Sequence, residues 1–171
     1  PANAPKGEYY LYTDMARALA GDAIFADAPI CVGGVGDIDT EVVPADDDRL
    51  DALADLSRTS DRRGDYLDVL ANAAARTLNT VSLSQGERAE VSVRSVGGFE
   101  GVSVARLVLS VKPGVKASAV VRLASAGRLV VQTKINLAPG SSLDAVFIQD
   151  GEADQVLLTR TTLDLDEDAQ A

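Results

Sequence analysis

The sequence predicts a mainly β fold: a right-handed parallel β-helix, represented by its first coils, entered through a small α-helical or mixed N-terminal region. Three observations predict it. Residues 82–171 repeat with a period of 26–28, apolar runs recur at fixed phase within each repeat, and the first half of the chain carries helical rather than alternating periodicity. The division falls near residue 80, giving a helical or mixed region over 1–80 and β-helix repeats over 81–171.

The repeat is read from four segments, Ser82–Gly86, Ser110–Gly114, Asn136–Gly140 and Asp164–Asp168, whose starts lie 28, 26 and 28 residues apart. Each runs from a small polar residue through an aliphatic one to a turn that closes on Gly or Asp. A strand-like run follows the turn (Val91-Ser92-Val93, Ala119-Val120-Val121, Ala145-Val146-Phe147). A second run lies midway between turns (Ala105–Leu109, Leu129–Thr133, Val156–Thr159). Units of this length cannot bury an apolar face alone and must stack. They hold two or three short strands, where a propeller blade needs four strands and about 40 residues. Pro113-Gly114 and Pro139-Gly140 suit the corners: Pro pre-sets φ at the first central turn position and Gly accepts φ > 0 at the next. An antiparallel sandwich with regularly spaced turns is the alternative. The fourth repeat reaches Ala171 before its strand, so the chain is expected to be an N-terminal fragment of a longer solenoid.

Upstream, residues 1–7 form an aperiodic lead. Tyr9, Tyr10 and Tyr12 then precede a short helix capped by Thr13, with Met15, Ala18 and Leu19 on one face and Gly21 at its end. The tyrosines are expected to pack the entry of that helix. Ile30 to Val43 is Gly-broken and β-like, a loop or twisted hairpin. Its glycines lack both the third Gly of a dinucleotide fingerprint and the Gly-Lys-Ser/Thr of a P-loop, and Asp37 stands one place too early for a calcium-binding β-roll nonapeptide. Asp46, Asp47 and Asp48 open a helix bearing Leu50, Leu53 and Leu56, since carboxylates favour the positive end of the helix dipole. A second helix begins at Asp65 with Leu67, Leu70, Ala71, Ala74 and Leu78 on one face, and Asn79-Thr80 closes it.

Composition excludes several functions. With 46% apolar and 25% charged residues the chain is globular, and with 4% aromatics and no Trp its core is aliphatic. The net charge of −10 argues against nucleic acid, which requires a basic stripe to displace counterions, and against an anionic membrane surface. No apolar run approaches the ~18 residues of a spanning helix, and no signal-peptide-like apolar segment follows Pro1–Lys6. A single cysteine rules out an internal disulfide framework. The expected location is the cytoplasm.

Chemistry is sparse. The absence of histidine removes the commonest general base and metal ligand. Cys31, within Ile30-Cys31-Val32, is expected to be a small core hydrophobe. Asp164, Asp166 and Asp168 alternate like the start of an EF-hand loop, but Ala169 stands where that loop needs Gly; they are read as turn residues. Arg106, Arg122, Lys134 and Arg160 fit the outward half of a strand alternation, solvated or facing a partner. Asp144, Asp154 and Arg160 are the nearest approach to a β-helix glycosidase constellation, without a recurring register. No catalytic, cofactor-binding or metal-ligating residue is assigned.

Tyr12-Thr13-Asp14 before a helix, the Leu67–Leu78 helix running into an aliphatic strand, and the coil-like segments Val104–Lys116 and Leu137–Gln149 together resemble the SufB/SufD family. Its members are scaffold subunits of SUF iron–sulfur cluster assembly. The resemblance covers residues 8–171 and is nearer to SufD, through the Tyr-Thr-Asp lead and the lack of SufB-like cysteines. It implies a right-handed parallel β-helix and a non-catalytic subunit that pairs with a SufB-type subunit and binds a SufC-type ATPase. It also implies that this chain binds no cofactor, the iron–sulfur cluster being assembled transiently by the intact complex. An open coil end implies self-association at Gln155–Leu165. The rival reading is a structural or binding β-solenoid with no iron–sulfur role.

Overall fold

The computed structural model describes residues 24–36, 38–49, 71, 73–96, 100–151 and 155–171. The expected helix over 13–21, the tyrosine cluster, Asp37, Asp154, residues 50–56 and most of the Asp65–Leu78 helix lie outside them. The start of the helix expected from Asp46 is described and is not helical, because residues 46–49 form turns in which the Asp47 carboxylate accepts from the Arg49 amide. Of that last helix, Ala71, Ala73 and Ala74 are helical. It ends earlier than the sequence suggests: Leu78 already lies in a strand, because the backbone from Thr77 onward pairs antiparallel with Asp39–Pro44 and from Asn79 onward with the next coil.

Ten strands run through the described residues: β1 (Phe25–Asp27), β2 (Ile30–Val35), β3 (Asp39–Pro44), β4 (Thr77–Leu83), β5 (Arg88–Arg94), β6 (Val102–Val111), β7 (Lys116–Ser125), β8 (Arg128–Leu137), β9 (Ser142–Gly151) and β10 (Val156–Leu165). From β4 onward, successive strands alternate between two sheets. One sheet is ordered β10-β8-β6-β4-β3, with β1 also pairing β6; the other is ordered β2-β5-β7-β9. Every pairing among β4 to β10 is parallel. The fold is therefore mainly β, and a chain that switches sheets at each turn yet pairs in parallel with the strand two further on has the connectivity of a stack of coils, compatible with a β-solenoid.

The repeat seen in the sequence is the register of the stack. Ser82, Ser110, Asn136 and Asp164 are successive rungs of one ladder, followed by Leu83, Val111, Leu137 and Leu165. The turns after them hold φ of 68°, 69°, 65° and 59° at Gly86, Gly114, Gly140 and Asp168. They are stitched coil to coil: the amide of Gly114 donates to Pro139 O and that of Gly140 to Glu167 O, each at 3.0 Å. Past the turn, Ala119 and Ala145 stack in register as expected, but beneath them lies Ala89, two residues before the Val91 that the repeat aligns there.

Between the sheets lies the core. Inward positions alternate along each strand, so Leu83, Leu107, Leu109, Leu123, Leu129 and Leu137 meet in one aliphatic cluster. The Gly-broken segment contributes two strands as expected of a hairpin, but they do not pair with one another. β2 lies antiparallel to β5 and β3 antiparallel to β4, so the chain crosses from one sheet to the other between Val35 and Asp39. Gly34 and Gly36, at φ 144° and 106°, supply backbone conformations there that only Gly adopts without strain.

Candidate interaction surface

The two sheets differ in what covers their outer faces. On the four-stranded sheet the outward positions of β5 and β7 include Arg88, Glu90 and Arg122, all exposed, so Arg122 is solvated as its outward position predicts. On the larger sheet most outward positions of β6 and β8 are buried. Val102, Val104 and Val130 pack with Ala71 and Ala75, and Val108 packs with Val43 and Leu78. Arg106 and Lys134, expected to be solvated, are only 3% and 7% exposed. The alternation places them on the correct side of the strand, but a further layer covers that side. Arg160 is half-buried.

Arg106, Gln132 and Arg160 are consecutive rungs of one row across β6, β8 and β10. Lys134, two residues further along the same face, reaches Asp164 at 2.8 Å. Among the described residues the buried Nε of Arg106 has no hydrogen-bond partner, and burial pushes its guanidinium below its ordinary pKa. It stays charged at neutral pH nonetheless, because arginine titrates so far above that range.

The second surface is the last coil. β9 is the edge of one sheet and β10 the edge of the other. Among the described residues, only Gln170 pairs with the open side of β9, in parallel with Ser142. Its amide donates to Ser141 O, and its carbonyl accepts from Leu143 N. The inward row is uncovered at this end: Phe147, Leu163 and Leu165 are 36%, 46% and 53% exposed. Among the described residues this end therefore combines the outer edges of β9 and β10, the former met at Ser142 by Gln170, with an apolar strip between them.

The other expected residues fall as follows. Cys31 is exposed rather than buried. Ile30 and Val32 pair with Val93 and Val91 and pack on the core, so strand alternation turns the residue between them outward. Asp164 is occupied by Lys134, and Asp168 holds the turn position that Gly holds in the coils below. Among the described residues no three His, Cys, Asp or Glu side chains converge as a metal site requires. Asp144 lies outward on β9 and Arg160 outward on β10, on different sheets, so they do not share a site. Among the described residues no helix is long and apolar enough to cross a membrane.

No family model, curated protein or solved structure matches this chain. The functional reading rests on the two surfaces and on the sequence.

Sequence reasoning placed the turn rungs of the repeat in register. It missed the buried basic row. The only available signal was that the outward positions of β6 and β8 (Val102, Val104, Val108, Val130) are as apolar as the inward ones, the mark of a strand buried on both faces.

Proposed function

We propose that this chain is a non-catalytic, SufD-like scaffold subunit of SUF iron–sulfur cluster assembly, built as the first coils of a right-handed parallel β-helix behind a helical N-terminal region. The observation that carries the reading is the in-register stacking of the Ser82, Ser110, Asn136 and Asp164 turns. The segments that resemble the family lie in that stack: Val104–Lys116 runs along β6 through its turn to the start of β7, and Leu137–Gln149 from the end of β8 through the next coil's turn along β9. A rigid stack with open strand edges suits a scaffold, since paired edges transmit orientation between subunits without any side-chain chemistry.

In this reading the protein works in the cytoplasm, pairs with a SufB-type subunit and engages a SufC-type ATPase. The cluster is cargo of the assembled complex rather than a group held here. The test is affinity purification of the parent protein from its own cytoplasm at low salt. Co-purification with a SufC-type ATPase and a second β-helix subunit supports the reading. Recovery of the parent protein alone overturns it in favour of a free-standing solenoid.

A further inference from the structure

The outer face of the four-stranded sheet carries an ordered charge pattern. Strand alternation turns Arg88 and Arg94 outward on β5, and Asp144 and Asp150 outward on β9; all four are exposed. The register through β7 sets Arg88 and Asp144 on one rung and Arg94 and Asp150 on another. The cations thus form one column and the carboxylates a second, about 10 Å away across β7. Arg88 also lies 3.6 Å from Glu90, a contact that leaves both side chains more than half exposed.

Between the two charged rungs the face is partly apolar. Val120 on β7 and Val146 on β9 share a rung, and Ile148 follows on the next; Val146 is 54% exposed. With Glu90 and Arg122 included, the rungs from Arg88 to Arg94 hold three cations and three carboxylates across β5, β7 and β9. This patch is neutral in a chain whose net charge is −10. It is where two copies meet with the least repulsion.

We propose that this face is a dimerisation surface for a second copy of the chain, related by a two-fold axis parallel to β7. Such an axis lays β5 of one copy over β9 of the other. Arg88 then faces Asp144 of the second copy and Arg94 faces Asp150, and the symmetry repeats both pairs. Val120 meets its own copy on the axis, and Arg122 reaches Glu90 of the second copy across one strand and one rung. A two-fold axis across the strands would instead set Arg88 over Arg94, cation on cation. Facing sheets keep their strands within about 30° of each other, a deviation that arginine side chains span. Four strands by about seven residues give roughly 450 Å² per copy, below the ~800 Å² of a standard interface. The dimer is therefore weak and reversible. The surface involves no strand edge and is independent of the scaffold reading.

The test is sedimentation velocity on the full chain at fixed ionic strength. A reversible dimer is expected, with Kd of about 10–100 μM. Arg88→Asp and Asp144→Arg each set like charges against one another twice, and each should weaken the dimer at least about tenfold. An equimolar mixture of the two folded variants should recover native affinity, because each then meets its opposite charge. Leu163→Lys, on the last coil, should leave this dimer in place. A native chain that stays monomeric at about 1 mM overturns the second copy as occupant, a result that depends on no variant. A mixture that associates no more tightly than either variant alone overturns the two-fold arrangement. Loss of the dimer in a folded Leu163→Lys variant, with none in Arg88→Asp, places the contact at the last coil and overturns this surface.

Discussion

Gly114 and Gly140 sit where a side chain would meet nothing within 4 Å, yet their φ of 69° and 65° lies in the left-handed region. Their requirement is conformational rather than steric. Gly114→Ala is expected to cost about 1 kcal/mol, read as a lower urea midpoint at unchanged slope. Gly34 differs: a Cβ there would collide with the Arg88 carbonyl oxygen and the Ile38 side chain, so Gly34→Ala should lower the midpoint further. Glu87 closes the first turn by accepting a hydrogen bond from the Gln85 amide at 2.7 Å. That bond holds its carboxyl below its ordinary value of 4.5, with burial opposing it and Lys112 adding a smaller favourable charge. A carboxylate whose pKa is depressed on folding stabilises the fold above its unfolded pKa, and the contribution is lost as pH falls through the folded value. Stability should therefore decline below about pH 4.5, and Glu87→Gln should flatten that decline in pH-dependent urea melts. An acid limb that Glu87→Gln leaves unaltered would remove this role.

At the scale of the element, β6 is the central strand. It pairs with β8 on one side and with β4 and β1 on the other, and every residue but Ser110 is buried. Its Val- and Leu-rich sequence follows from burial on two faces, the pattern of a parallel strand between layers. Leu107→Ala should cost about 2–5 kcal/mol through lost transfer energy and an unfilled cavity. Val146→Ala, on the exposed outer face of β9, should stay within about 0.5 kcal/mol. Equal effects of the two substitutions in urea unfolding would contradict the burial assigned to β6.

For the molecule as a whole, the last described coil is a candidate association surface. Two ten-residue strands, β9 and β10, present edges beside the apolar row of Phe147, Leu163 and Leu165, and such edges recruit further strands. Self-association rising with concentration is expected in light scattering, and Leu163→Lys should reduce it, since an inward-facing lysine at an edge opposes pairing. A monomer at high concentration would show that the end is not an association surface.

What the sequence by itself determined is everything governed by local chemistry and by phase: where the turns close, that Pro and Gly occupy their corners, which residues share a rung at Ser82, Ser110, Asn136 and Asp164, and that Arg122 faces out. These are legible because φ preferences and a period of two act within a few residues and recur in each coil. Only the tertiary structure decided the two-residue shift that stacks Ala119 on Ala89, the division of β2 and β3 between sheets, the outward turn of Cys31 and the burial of Arg106 and Lys134. Alternation encodes the side of a strand on which a residue lies. It carries no information about what is packed against that side, so Arg106 and Arg122, alike in the sequence, have opposite environments in the fold.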